Sequence, residues 1–283
     1  RGDAGIEHRE HDRSAEPAEE VPVDLALQPS PAQGVGAGRA DLFGDLRLGD
    51  RYFLGHAVEQ LDADIVCLQE VRLMHRREER YFAHWPKQPQ ADYLAPEGYE
   101  AVYRTNAVTR HGEHGNALLS RWPVLSHQHQ DISDHRFEQR GLLHTELQII
   151  DRVVHVIVVH LGLMPASRVR QMVQLHAYID QSISKNAAVL VAGDFNDWGK
   201  GLGRRMAAAG FSEWREHPTP TYPSRLPLNQ LDHVYARGLK PVHAMAPSGR
   251  IWRRMSDHLP LWIQINTDID GMLLEQIIQR KSK

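Results

Sequence analysis

Val189-Leu190-Val191-Ala192-Gly193-Asp194-Phe195-Asn196-Asp197 is an apolar, partly β-branched run that stops at a glycine and then presents short polar side chains. This is the pattern of a buried strand that delivers functional groups to a sheet edge. Carboxylates and an amide at the tip of a rigid strand suit metal-assisted or general-base chemistry. An ordinary Gly-Asp-x-Asn turn after a strand has the same composition. Its meaning therefore depends on what the other strand ends carry.

Four further apolar runs end in polar groups: Glu70 after Asp64–Leu68, His160 after Val153–Val159, Asp232 with His233 after Leu231, and Asp257-His258 just before Leu259–Ile265. Each alone has a plain structural reading: a turn cap, a satisfied core histidine, a loop pair. Five at the same kind of position are harder to assign to folding alone. His233 follows Asp232 on a strand, so it faces the other way and is left out of the set.

Between these ends the pattern alternates strand with helix. Leu54, Ala57, Val58 and Leu61 share a helical face from Arg51 onward. Ala101–Tyr103 and Ala117–Leu119 read as strands around a loop at 111–116, and 141–150 with 153–159 as a hairpin about Asp151-Arg152. Ser167 is expected to cap a helix with Val169, Met172, Val173, His176, Ile179 and Ile183 on its apolar face. Short helices are expected at 204–209 and 269–280, with strands at 231–236 and 259–265. Hairpins mixed with strand–helix–strand units predict an α/β (α+β) fold of mixed sheets flanked by helices.

Residues 1–45 differ. They carry no aromatic side chain before Phe43, and only Val21–Leu27 alternates like a strand. Pro22 demotes that stretch to an edge at best, so a disordered N-terminal segment is expected. The domain then spans 46–268, with a C-terminal helix or tail at 269–283.

The 283 residues can bury a sizeable core, and 41% apolar with 24% charged residues describes a soluble globular chain. A formal charge of −3 neither proposes nor excludes nucleic acid, because a local basic groove matters more than the sum. The single cysteine, Cys67, sits in an apolar run and reads as a buried structural thiol, in keeping with a reducing, cytoplasmic setting. No run of about 18 apolar residues exists, so no transmembrane helix is expected; the expected state is a monomer. The His-rich pieces at 111–114 and 127–135 lack a cysteine or a helical His-x-x-x-His pair, so zinc is not expected there.

Cys67-Leu68-Gln69-Glu70-Val71, Gly193-Asp194-Phe195-Asn196, Leu231-Asp232-His233-Val234-Tyr235 and Ser256-Asp257-His258-Leu259-Pro260 together resemble the endonuclease/exonuclease/phosphatase (deoxyribonuclease I-like) superfamily. The pieces His114–Arg121 and Val159–Leu163 look closest to small bacterial members. The resemblance implies a four-layer sandwich, with two face-packed mixed sheets between helices and a site at one end. It implies Mg²⁺ (or Mn²⁺) held by Glu70 with Asp257, water activated by Asp194, and Asn196 holding phosphate or water. His258 oriented by Asp232 would meet the phosphate, and His160 would donate from a second side. Asn116 would contact the substrate, and Arg250, Trp252, Arg253 and Arg254 would rim the site, Arg forks on phosphate and Trp on a base or a lipid surface.

One family feature is missing. The first strand of family members ends in Asn-x-Asn or Asn-x-His, and here no asparagine precedes Asn106. The opening strand is therefore expected to be absent, with residues 1–45 not representing the ancestral start. The leading expectation is a divalent-metal-dependent phosphoesterase acting on phosphodiester bonds of nucleic acid or of phospholipid head groups. The alternative is a catalytically impaired relative that binds phosphate ligands without turnover.

Overall fold

The computed structural model describes residues 22–28, 48–75, 88–110, 112–199 and 201–267. Its strands are β1 (Pro22–Gln28), β2 (Ile65–His75), β3 (Glu100–Thr109), β4 (Gly112–Ser120), β5 (Val124–Asp131), β6 (Gly141–Ile149), β7 (Arg152–His160), β8 (Ala188–Asp194), β9 (Asp232–Arg237), β10 (Lys240–Met245) and β11 (Leu261–Asn266). The helices are α1 (Leu48–Leu61), α2 (Gln90–Leu94), α3 (Pro165–Ser182), α4 (Leu202–Ala208) and α5 (Trp252–Met255).

The strands form two mixed sheets, ordered β10-β11-β1-β2-β4-β3 and β5-β6-β7-β8-β9. Alternation along each strand explains why the sheets stack. On β7, Val154, Val156 and Val158 point inward to join Cys67, Leu118 and Leu190 in the core between the sheets. Ile157 and Val159 point outward and pack with Met172, Leu175 and Ile179 of α3 and with Leu202 and Met206 of α4. Val66 and Leu68 of β2 face the other outer layer, where Val58 of α1 and Ala91 and Leu94 of α2 cover them. Helix, sheet, sheet and helix make the expected four layers. Cys67 is fully buried in the central core, and burial pushes its thiol pKa up, as befits a structural cysteine.

The segment expected to be disordered contains a strand at the centre of a sheet. β1 runs parallel to β2, with Leu25 opposite Ile65, and antiparallel to β11, with Leu25 opposite Ile263. Pro22 is the first residue of the strand, opposite Asn266, where a missing N–H costs the ladder least. Neither the edge placement nor the absent opening strand holds. The remainder of 1–45 and the helix expected at 269–280 lie outside the described residues.

Three local readings also change. β2 continues to His75, and the register against β4 shifts between Leu68 and Val71, so Glu70 sits at a bulge inside the strand. Residues 112–116 are strand, pairing with both β2 and β3, because Gly112–Asn116 continue the hairpin ladder directly. α3 begins at Pro165, not at Ser167, whose hydroxyl instead donates to Asp134 Oδ2 at 2.6 Å. The buried stripe of α3 is Met172, Leu175 and Ile179, while Val173 is 60% exposed.

Candidate active site

Sheet register assembles the first three groups. His160 at the end of β7 lies opposite Asp194 of the parallel β8, and Asp194 lies opposite Asp232 of the antiparallel β9. All three belong to the inward-facing set on one rung, and none is more than 6% exposed. Gly193 makes the rung possible: its φ is +147°, and a Cβ there would lie 1.9 Å from the Val159 carbonyl oxygen. Asn196 then turns the chain at φ +47°, a conformation asparagine tolerates. Its backbone N–H donates to Asp194 Oδ1 at 2.8 Å and its side-chain amide donates to the Leu161 carbonyl at 2.9 Å. With Oδ1 occupied, Asp194 turns Oδ2 toward His160 Nε2 at 3.6 Å and His258 Nε2 at 3.9 Å.

His258 arrives on the segment between α5 and β11. The loop at 221–224 clamps that segment: Leu259 N–H donates to the Thr221 carbonyl at 2.7 Å, and the Ser224 hydroxyl to the Ser256 carbonyl at 2.6 Å. His258 Nδ1 lies 2.7 Å from Asp232 Oδ2, which also accepts from the Thr221 hydroxyl. Burial alone would lower the His258 pKa. The charge and hydrogen bond of Asp232, with Asp194 and Asp257 behind them, win and push it up to about 10. His258 is thus an imidazolium whose Nε2–H faces Asp194. Burial raises the Asp194 carboxyl to about 7, although His258 pulls in the opposite direction. His160 goes the other way, held well below 6.5 by burial and by the charges of Arg140 and His258.

Glu70 completes the group from the other sheet. Its φ is +53°, a left-handed conformation that costs a non-glycine residue about 1–3 kcal/mol and is found at functional sites. That turn aims the carboxylate across the sheet gap, to within 3.7 Å of His160 Nδ1. Burial raises its pKa, with Asp257 adding to the rise and Arg140 opposing it. Arg140, Arg72 and His258 favour its charged form against that burial. A partly buried carboxylate aimed into the gap between the sheets, with Asp257 exposed nearby, is an oxygen-rich donor set that fits a hard divalent cation.

The other expected site residues divide. Arg250 and Arg253 are exposed, and the Arg254 side chain lies outside the described set. Trp252 is not a stacking surface: it is 8% exposed and packed against Ala57 and Leu259. Asn116 is fully buried and cannot reach a substrate; its amide donates to the Gly141 and Val158 carbonyls at 3.0 and 3.1 Å, tying the two sheets together. His233 faces away, as its strand position requires, and pairs with Glu213 between the Phe195 and Tyr235 rings.

Residues not singled out in the sequence also belong here. Arg140 acts electrostatically on Glu70, His114, His160 and Asp194 at once. Glu138 holds one end of its guanidinium at 3.2 Å, and its Nε is buried without a hydrogen-bond partner among the described residues. An arginine flanking Gly141 at the mouth of an apolar strand was the available signal. Tyr222 packs at a tilt against His258, ring centroids 4.9 Å apart, and meets Trp198 edge-on at 5.3 Å, and Trp198 is 50% exposed. The aromatic wall of the site is therefore Trp198–Tyr222, one residue beyond the quoted stretch, and not Trp252.

The chain is 37% identical over 224 residues to the uncharacterised protein YbhP of Escherichia coli (strain K12), covering 75% of this chain and 87% of that protein. Its fold is similar to that of the human nocturnin catalytic domain with bound sulfate (TM-score 0.62, 19% identity, covering 87% of this chain and 93% of that one). It is also similar to a mannosyl-6-phosphatase from Bacteroides thetaiotaomicron (TM-score 0.65, 16% identity, 86% and 99% covered). The profile of the "Endonuclease/Exonuclease/phosphatase family" matches residues 50–258, which include every group of the rung, and the chain belongs to that family.

Proposed function

We propose that the protein is a divalent-metal-dependent phosphoesterase that hydrolyses phosphodiester bonds. The observation that carries this reading is the convergence of Asp194, His160 and the Asp232-bound His258 on one point at the strand ends. Asp194 Oδ2 stands 3.9 Å from His258 Nε2 and 3.6 Å from His160 Nε2, with burial raising the Asp194 pKa and Asp232 raising that of His258. Asp194 Oδ2 takes the proton of an attacking water, and His258 Nε2–H binds a non-bridging phosphate oxygen as negative charge grows there. Asp232 fixes the ring and its charge, so no proton need leave His258 during the step. Asn196, with its amide nitrogen bonded to Leu161, presents its carbonyl oxygen to orient the water.

Glu70, with Asp257, would hold Mg²⁺ or Mn²⁺, which supplies Lewis-acid neutralisation of phosphate charge when bound. Arg140, anchored by Glu138, adds positive charge on the same side. Trp198 and Tyr222 offer a flat face to whatever group the phosphate carries, a base or a lipid head group. Nocturnin and the mannosyl-6-phosphatase share the fold alone; the chemistry rests on the residues above.

Bis-p-nitrophenyl phosphate with Mg²⁺ or Mn²⁺ is the first assay. The expected result is turnover abolished by EDTA, by Glu70→Ala and by His258→Ala. Phosphate binding without turnover in the unaltered chain would mean a binding relative, the reading favoured by the lack of an asparagine in β1. A panel of DNA, RNA and phospholipid substrates then separates the substrate classes.

A further inference from the structure

The outward face of the second sheet carries a second set of ligand-type side chains that the phosphoester chemistry does not use. His144 and Glu146 lie two apart on β6 and so share a face, and Glu146 is directly opposite His155 on β7. That face is the one covered by α3; His160, five residues further along β7, points to the other side about 16 Å away. His144 Nε2 and His155 Nδ1 approach to 3.0 Å, and His155 Nδ1 lies 3.7 Å from Glu146 Oε1. One ligand atom from each of the three falls within 4.8 Å of the others.

We propose that His144, Glu146 and His155 form a binding site for a transition metal of the zinc class, distinct from the phosphoester site. Zinc bonds of about 2.0–2.2 Å in a tetrahedron place neighbouring ligand atoms about 3.3 Å apart, and the two measured separations bracket that edge. The tautomers suit it. Tyr178 of α3 donates its hydroxyl hydrogen to Gln128 Oε1 at 3.2 Å, so its oxygen accepts from His144 Nδ1–H at 2.9 Å. That leaves the Nε2 lone pair of His144 aimed at the cluster, and it is the kind of outer hydrogen bond that orients metal-bound imidazoles.

Without an ion, His155 Nδ1–H donates to that lone pair. With one, His155 carries its proton on Nε2 and both facing nitrogens bind, so no proton leaves the protein. Burial lowers the pKa of both rings, which favours the neutral form that ligates. Arg237 places a positive charge near His155. That charge weighs against a hard ion such as Mg²⁺, whose binding is mostly electrostatic, and favours one that bonds strongly to imidazole. Three protein ligands leave a fourth position for water, reached past the partly exposed Glu146. An ion here would also fasten α3 to the β6–β7 hairpin through Tyr178.

The test is dialysis of the folded, full-length chain against Zn²⁺ in excess Mg²⁺, followed by metal analysis. One retained equivalent is expected, with affinity reduced at least tenfold by His155→Gln or His144→Gln and about tenfold by Tyr178→Phe. Glu70→Gln should retain it. Equal retention in His155→Gln, or loss in Glu70→Gln, overturns the proposal. Cobalt substitution of the unaltered chain does not depend on any variant folding. The intense visible absorption of a four-coordinate ion, persisting in excess Mg²⁺, supports the site, and its absence overturns it.

Discussion

His258 and Asp232 are 26 positions apart in sequence and 2.7 Å apart in space. Burial alone would lower the His258 pKa; the Asp232 carboxylate first, then Asp194 and Asp257, reverse that. Asp232→Asn keeps an acceptor at Oδ1 but removes the charge. It should cost roughly 10²-fold or more in kcat, with less effect on KM, and an NMR titration should show His258 falling from about 10 toward its ordinary range. A normal His258 pKa in the unaltered protein would sink the assignment. The two tryptophans should separate cleanly in the same assays. Trp198→Ala is expected to raise KM with little change in stability, because that ring is half exposed. Trp252→Ala should leave KM alone and cost about 3–5 kcal/mol in denaturant unfolding, because its ring fills the space beside Ala57 and Leu259.

At the level of elements, β8 was the most legible piece of the chain. Its apolar run, glycine and polar tip correspond to a strand buried at every position followed by the turn that places Asp194. Gly193→Ala tests the tightness of that turn. A Cβ 1.9 Å from the Val159 carbonyl, at a φ of +147°, has nowhere to move without parting β7 from β8. A loss of at least about 3 kcal/mol is expected by chemical denaturation, and a variant of unchanged stability would contradict the described packing. α3 shows where periodicity misleads. Val173 looks apolar and helical, yet the stripe that faces the sheet runs through Met172, Leu175 and Ile179. A hydrophobic pattern locates a helix better than it fixes its rotation, since one residue moves the face by about 100°. Glu70 shows the complementary limit: an apolar run locates β2, but the bulge that turns Glu70 to φ +53° depends on pairing with β4.

At the level of the molecule, the packed layers hold two histidines away from protonation. His114 and His144 are both lowered to about 4, by burial first and then by neighbouring positive charge. In an unfolded chain the same rings titrate near 6.5. Between about pH 6.5 and 4 the unfolded state therefore binds protons that the folded state refuses, and stability falls as pH falls through that window. Asp194 and His258, whose pKa values are raised, favour the folded state as pH falls, so the contribution of His114 and His144 is read by difference, as the change in the slope of the thermal midpoint below pH 6.5 between the unaltered chain and each variant in EDTA. The slope should flatten in His114→Gln and His144→Gln. Parallel midpoint profiles of the variants and the unaltered chain from pH 6.5 to 4.5 would show that these rings are not held neutral.

Sequence by itself determined the family and the residue types at the site, because strand-buried runs and the polar groups at or near their ends are local patterns. It could not determine which side of a sheet a group faces or what lies across the gap, because those depend on register. Register put His160, Asp194 and Asp232 on one rung, placed β1 between β2 and β11, and sent Asn116 into the space between the sheets. It also brought Glu146 opposite His155, nine positions away, through a hairpin that the sequence did show but whose metal-ligand geometry it did not. Trp252 and Trp198 are the same residue type near the same site. Only burial, a property of the packed layers, separates the one that holds the core from the one that faces solvent.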